Sequence, residues 1–141
     1  SIGFNPGDCE LSFRIAEDGT SGSDFSKGGH GYCWAGVRAS LGVKGPGRFF
    51  FTMKIESHGE VDLQTIPADE RHLARFGVST LECPLDALGE HRDSYGFGGT
   101  GKTSNAGDFR TYGRSWGLGD LVGCALDTAS SPPTIEFFLN G

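Results

Sequence analysis

The chain is most constrained by an alternation of apolar and polar side chains between Arg48 and Glu56 that only Phe50 interrupts. Every second residue of this run is apolar, at Phe49, Phe51, Met53 and Ile55. A repeat of two places these side chains on one face of a β-strand, whereas a helix would scatter them around its axis. We therefore predict a strand with one buried face, and its pattern is the strongest strand signal in the chain.

Several shorter runs predict further strands of the same kind. Leu11, Phe13 and Ile15 are expected to share one face of an early strand, and a late strand at Thr134 to Leu139 is expected to place Ile135, Phe137 and Leu139 inward. The other predicted strands are Leu73 to Thr80, Ser94 to Gly98 and Leu121 to Leu126. The last is apolar on both faces, so we expect it to lie centrally. A short helical turn at Ala68 to Leu73 is the one helical alternative.

Glycine accounts for 24 of the 141 residues, and these glycines are scattered between the apolar runs. That fraction is more than twice the usual ~7%, and scattered glycines are typical of tight turns and bulges. Short strands joined by glycine-rich turns predict an all-β domain with the architecture of an antiparallel sandwich.

The segment from Gly96 to Thr103 matches the phosphate-loop pattern G-x-x-x-x-G-K-[ST]. A phosphate loop joins a buried parallel strand to a helix, whose first N–H groups hold the phosphates. Here polar residues precede the segment, and residues 104–113 contain two glycines and no apolar helical stripe. We therefore favour a glycine-rich β segment over a nucleotide-binding enzyme.

The charge and the reactive residues of the chain argue against several other classes of protein. A formal net charge of −6 is unusual for a nucleic-acid-binding surface, which normally carries a basic stripe. The four cysteines and four histidines are isolated from one another. This spacing favours reduced thiols and predicts no metal site. No set of side chains suggests a catalytic nucleophile.

The chain ends on Asn140-Gly141, directly after the last predicted strand. Asn-Gly after a strand is a strong hairpin signal, because a type I′ turn needs positive φ at both central residues. We therefore expect residues 1–141 to be a single domain that is incomplete and lacks the closing strands after Gly141.

Blocks of residues spread along nearly the whole chain resemble the SPRY domain. They are Asp8 to Ile15, the W-x-G-x-R-A-x-x-G-V block from Trp34 to Val43, Phe76 to Ser79, Ser94 to Lys102, Tyr112-Gly113, Gly119 to Cys124 and Asn140-Gly141. The resemblance is strongest to the SPRY domains of heterogeneous nuclear ribonucleoprotein U-like proteins and to the one inserted in a DEAD-box RNA helicase. Val78 departs from the family, which usually has tryptophan at this position.

The resemblance implies a bent, concanavalin-like β-sandwich that acts as a non-catalytic protein–protein interaction module. Such a domain would bind a partner peptide or surface through rim loops, without cofactor, metal, membrane or small-molecule substrate. It would belong to a larger RNA-associated protein of the nucleus or the nucleo-cytoplasmic space, which contacts RNA through other domains. A lectin-like sandwich that binds carbohydrate is the alternative, since its architecture is similar.

Seven residues are candidates for contacting a partner. In a related SPRY subgroup the arginine of this R-A-S block, here Arg38, faces an acidic peptide, which makes an acidic partner one option. A structural arginine that pairs with a backbone carbonyl or a strand carboxylate is equally consistent with the sequence. The aromatic candidates are Tyr32 and Trp34, for which core packing is the alternative. Four more candidates are expected in glycine-rich loops, where they would form a basic rim or be simply solvated: Lys102, Arg110, Tyr112 and Arg114. Asp120 is expected to cap a turn.

Overall fold

The fold was analysed in a computed structural model, which describes residues 2–24, 34–58, 64, 66–71 and 73–141. These residues form an all-β structure with one short 3-10 helix at Ala68–Glu70. The strands are β1 (Phe4–Cys9), β2 (Phe13–Ile15), β3 (Gly22–Asp24), β4 (Val37–Ala39), β5 (Arg48–Lys54), β6 (Arg75–Ser79), β7 (Ser94–Gly98), β8 (Lys102–Asn105), β9 (Asp108–Thr111), β10 (Leu121–Asp127) and β11 (Thr134–Leu139). Every strand pairing is antiparallel, which confirms the predicted fold class.

The chain divides into two compact units. The first comprises Ser1–Gly42, Gly59–Arg71 and Pro84–Ala87, and the second comprises Val43–His58, His72–Cys83 and Leu88–Gly141. Within the first unit β1 pairs with β4 and β2 pairs with β3.

The second unit contains a three-stranded sheet in the order β11-β10-β5 and a four-stranded sheet in the order β6-β7-β8-β9. In the first of these sheets Cys124 of β10 lies between Phe51 of β5 and Phe137 of β11. The central position of β10 confirms the expectation from its doubly apolar sequence. In the second sheet Phe97 of β7 pairs with Phe76 of β6.

The core of the second unit is formed by the facing sides of these two sheets. Its buried residues are Phe76, Phe97, Trp116, Val122, Cys124 and Phe137. Rings of the two sheets meet directly, with centroids 5.0 Å apart for Phe51 and Phe76 and 5.3 Å apart for Phe97 and Phe137. Burial raises the pKa of the Cys124 thiol to about 11, so this side chain packs as a small apolar group.

The alternations that predicted β5 and β11 are confirmed by burial. Exposure alternates residue by residue along β5, and the predicted inward residues of β11 all contact the core. The early strand is different, because the prediction that Leu11 shares a buried face with Phe13 is wrong. Leu11 is fully exposed in a turn closed by the Phe13 N–H, which donates to the Glu10 carbonyl. This turn separates β1 from β2.

No helix among the described residues combines the length and the apolar character that crossing a membrane requires.

Candidate functional site

The segment that matched the phosphate-loop pattern is a β-hairpin. Gly96 to Gly98 belong to β7, and Lys102 and Thr103 begin β8. The Gly101 N–H donates to the Gly98 carbonyl over 2.9 Å, and Gly101 has a φ of +86°. A turn followed by a glycine of positive φ is a common three-residue hairpin connection. Since Lys102 lies in a strand instead of at a helix N-terminus, the segment lacks the geometry that holds phosphates.

Arg38 lies on β4 and forms an ion pair with Asp8 on the neighbouring strand β1. Its Nη1 donates to both carboxylate oxygens of Asp8, at 3.0 and 3.1 Å. The two side chains are only 18% and 26% exposed. Asp8 is therefore a strand carboxylate of the kind that a structural arginine would pair with.

Of the two aromatic candidates that precede Arg38 in the sequence, only one is described. Trp34 is half-buried, whereas Tyr32 lies outside the described residues. Two residues after Trp34, the Gly36 N–H donates to Glu10 Oε2 over 2.8 Å. A Cβ at Gly36 would lie 1.9 Å from the Leu85 carbonyl oxygen, so the glycine of the W-x-G block permits a close backbone approach.

The expectation that all four remaining candidates lie in loops is wrong for Lys102 and Arg110, which belong to β8 and β9. Lys102 pairs with Thr111 and Thr103 pairs with Arg110, so the two cations point to opposite faces of the sheet. Arg110 forms an ion pair with Asp108 at 2.8 Å, and Lys102 makes no ion pair with any described residue. The strands therefore do not present these two cations as one basic surface.

Asp120 receives hydrogen bonds from three different parts of the second unit. Its Oδ2 accepts the Gly117 N–H over 2.9 Å, which confirms its expected role in a turn. Its Oδ1 accepts from Asn140 Nδ2 over 2.9 Å and lies 3.5 Å from Arg114 Nη2. The Asn140 amide contributes most to a pKa of Asp120 below its ordinary value, followed by the Gly117 N–H. Arg114 is thus engaged within the fold.

Tyr112 connects the chain after β9 to the edge strand β11. The Tyr112 hydroxyl accepts the Phe137 N–H over 2.9 Å and donates to the Phe137 carbonyl over 3.1 Å. The Asn140 N–H donates to Leu121 of β10. Because bonding alternates along an antiparallel pair, the backbone groups of Phe137 point away from β10. The hydroxyl therefore occupies the outer edge of β11.

Replacing Tyr112 by phenylalanine is expected to lower the free energy of unfolding by about 1–3 kcal/mol, since a backbone donor and acceptor would lose their partner. Urea denaturation measures this loss. Tyr95→Phe is the control, because Tyr95 is half exposed and its hydroxyl bonds to no described residue. Equal effects of the two substitutions would contradict the role of the Tyr112 hydroxyl.

Arg75 on β6 is a prominent residue that the sequence analysis did not single out. Its Nη1 donates to the Leu88 carbonyl over 2.7 Å, and its guanidinium lies 5.3 Å from the centre of the Phe109 ring. Its aliphatic part passes over Gly96, where a Cβ would be 3.0 Å from Arg75 Cδ. Burial lowers the pKa of Arg75, while Glu90 opposes this shift. Arg75 thus holds residues 88–90 against the four-stranded sheet. This role could not be identified from the sequence, because an isolated arginine forms no recognisable motif.

The outer face of the three-stranded sheet carries a second feature that the sequence did not single out. A shallow depression of about 330 Å³ lies there between β5 and β11, with the exposed ring of Phe50 in its wall. An aromatic residue on the polar face of β5 was visible in the sequence. The depression itself also depends on the residues of β10 and β11 that lie beside Phe50 in the sheet.

The amino-acid sequence matches the family model of the SPRY domain over residues 60–141, more than half of the chain. Curated relatives carry similar sequences. The chain is 39% identical over 108 residues to the ATP-dependent RNA helicase Ddx1 of Drosophila melanogaster, a match that covers 77% of the chain and 13% of the relative. It is 34% identical over 128 residues to the ATP-dependent RNA helicase DDX1 of Xenopus laevis, covering 85% of the chain and 15% of the relative.

A third relative is the heterogeneous nuclear ribonucleoprotein U-like protein 2 of Mus musculus, which is 29% identical over 136 residues, covering 94% of the chain and 17% of the relative. The chain therefore spans less than a fifth of the length of these proteins. SPRY domains are generally protein-interaction modules without catalytic activity. With its antiparallel sheets and its match to the family model, this chain belongs to the SPRY domain family.

Proposed function

We propose that this chain is the partner-binding domain of a larger RNA-associated protein and that it catalyses no reaction itself. The match of residues 60–141 to the SPRY family carries this proposal, because domains of this family generally bind proteins or peptides. A rigid β framework that displays variable loops suits such a role.

The RNA-associated context of the proposal is supported by the relatives, which are named as RNA helicases and as a ribonucleoprotein-like protein. The net charge of −6 makes the domain itself a poor surface for phosphates. We therefore assign RNA contacts to other domains of the parent protein, and a nuclear or nucleo-cytoplasmic location follows from the same relatives.

Arg38 is the main residue that we propose for partner binding. Trp34 and Tyr32, which precede it in the sequence, are the proposed aromatic contacts. Asp8 already bonds the Arg38 guanidinium, and arginine binds carboxylates of any origin through the same geometry. An acidic side chain of the partner would take the place of Asp8. The other members of the proposed set are Lys102, Arg110, Tyr112 and Arg114, among which Lys102 makes no ion pair with a described residue.

This proposal predicts opposite results for the two members of the ion pair. Arg38→Ala should weaken the affinity for a purified partner roughly tenfold or more, since a charge-assisted hydrogen bond is worth about 1.5–3 kcal/mol. Asp8→Asn should leave the affinity unchanged or increase it, because it removes the internal competitor. Isothermal titration calorimetry with the partner recovered by a wild-type pull-down measures both affinities.

Thermal denaturation of both variants serves as the control for folding. If the ion pair only stabilised the fold, Arg38→Ala and Asp8→Asn would both lower the melting temperature. Less of each variant would then bind the partner, but its folded fraction would bind with the affinity of the wild type. That outcome would refute the assigned role of Arg38. Failure of the wild-type domain to retain any protein partner would refute the proposed function as a whole.

A further inference from the structure

The depression on the outer face of the three-stranded sheet has a chemically distinctive lining. All three strands contribute to its lining, which includes Arg48 and Phe50 of β5, Ala125 and Asp127 of β10, and Glu136 of β11. In the sheet register Ala125 of β10 lies between Phe50 of β5 and Glu136 of β11. A small residue between two larger ones forms the trough.

One wall of the trough is the exposed aromatic ring of Phe50, which is 64% accessible to solvent. The tip of the ring lies over Gly123, where a Cβ would be 2.8 Å from Phe50 Cζ. The Phe138 ring meets Phe50 edge-on, with centroids 6.1 Å apart. Neighbours therefore support the ring while most of its surface remains open.

The opposite wall is negatively charged. Glu136 is exposed and forms no ion pair with any residue in the described part of the chain. At the end of the trough the Asp127 carboxylate accepts from Arg48 Nε over 3.1 Å. Arg48 therefore pairs with Asp127 and leaves Glu136 without an ion-pair partner among the described residues. The lining thus has one negative charge in excess.

We propose that this depression binds a basic side chain, an arginine or lysine, of a partner peptide. The face of an aromatic ring attracts a cation, and a carboxylate across the trough adds a charge-assisted hydrogen bond. An aliphatic stem would pack on Ala125 and on the Phe50 ring. Because the lining carries excess negative charge, it favours a basic side chain over a purely apolar one. This surface does not depend on the role proposed for Arg38.

The proposal is tested by NMR titration of the ¹⁵N-labelled domain with two capped tripeptides that differ only in charge. One is acetyl-Gly-Arg-Gly-amide, and the other carries citrulline, the neutral isostere of arginine, in the middle. The arginine peptide is expected to shift the amide signals of Gly123, Ala125 and Glu136. The citrulline peptide is expected to bind at least about fivefold more weakly, because it lacks the cation.

Substitutions in the two walls provide the second arm of the test. Glu136→Gln and Phe50→Leu should each weaken binding about two- to fivefold, whereas Phe50→Tyr keeps a ring and should bind like the wild type. Glu56→Gln is the matched control, because it removes the same charge from an exposed position that does not line the depression. All four substitutions are at exposed positions, and melting curves verify that the variants are folded.

Three outcomes would overturn the proposal. Equal affinities for the arginine and citrulline peptides would show that the depression binds the apolar part of the side chain and does not recognise its charge. Equal losses in Glu136→Gln and Glu56→Gln would show only a response to net charge. Unchanged amide signals of the lining residues at a saturating peptide concentration would mean that no basic side chain binds there.

Discussion

Replacing Phe97 by alanine is expected to lower the free energy of unfolding by about 3–5 kcal/mol, as truncation of a buried aromatic ring does. Phe97 is only 2% exposed. Its ring lies 5.3 Å from the Phe137 ring, 5.4 Å from Tyr112 and 5.8 Å from Trp116, measured between centroids. Removing it would leave a cavity between the two sheets of the second unit, which equilibrium urea denaturation would detect.

Phe50→Ala is the control for this prediction. Phe50 lies in the same unit on the outer face of its sheet, with the Phe138 ring as its aromatic neighbour. Its loss should cost about 1 kcal/mol or less. If the two alanine variants were equally stable, the assignment of Phe97 to the core would be wrong.

Gly101→Ala is expected to lower the free energy of unfolding by about 3 kcal/mol, for two reasons that add. A side chain at a φ of +86° adopts the left-handed region at a cost of about 1–2 kcal/mol. A Cβ at this position would also lie 2.3 Å from the Gly113 carbonyl oxygen, and such overpacking typically costs about 1–3 kcal/mol. Chemical denaturation of the variant provides the measurement.

Gly107→Ala separates the two causes. Gly107 has a φ of +78°, and a Cβ there would meet no atom within 4 Å. This variant should therefore show only the conformational cost, about 1 kcal/mol. Equal losses in Gly101→Ala and Gly107→Ala would mean that Gly101 is not closely packed against Gly113.

The strands that could be predicted from the sequence are those whose burial differs between their two faces. β5 and β11 alternate, and residues Leu121 to Leu126 of β10, which lies between them in the sheet, carry no charged or polar side chain. The pattern of burial can be inferred from such sequences, because the inward positions are apolar.

β8 and β9 could not be predicted in this way. Residues Lys102–Asn105 and Asp108–Thr111 are polar or exposed along most of their length, and backbone pairing holds them in the sheet. Their turn has positive φ at Ala106 and Gly107, which fits a two-residue hairpin, but alanine at the first position conceals the usual Asn-Gly signal. Lys102 and Arg110 were therefore expected in loops.

The candidate sites were predictable as residue types and not as contacts. The sequence left open whether Arg38 binds a partner, a backbone carbonyl or a strand carboxylate, and only the pairing of β1 with β4 brings Asp8 to Arg38. The Phe50 depression likewise depends on the register that places Gly123 and Ala125 between aromatic and charged neighbours. β5 and β10 are far apart in the sequence, and no hairpin turn joins them to fix their register.

Lys102 lies in β8, a strand that is paired on both sides, and nuclear Overhauser effects between backbone protons can test this pairing. We expect cross-strand effects that connect Thr103 with Phe97 on one side and with Arg110 on the other. A continuous series of strong effects between sequential amide protons from Lys102 to Phe109, as in a helix, would contradict it. That result would restore the nucleotide-binding interpretation of Gly96 to Thr103.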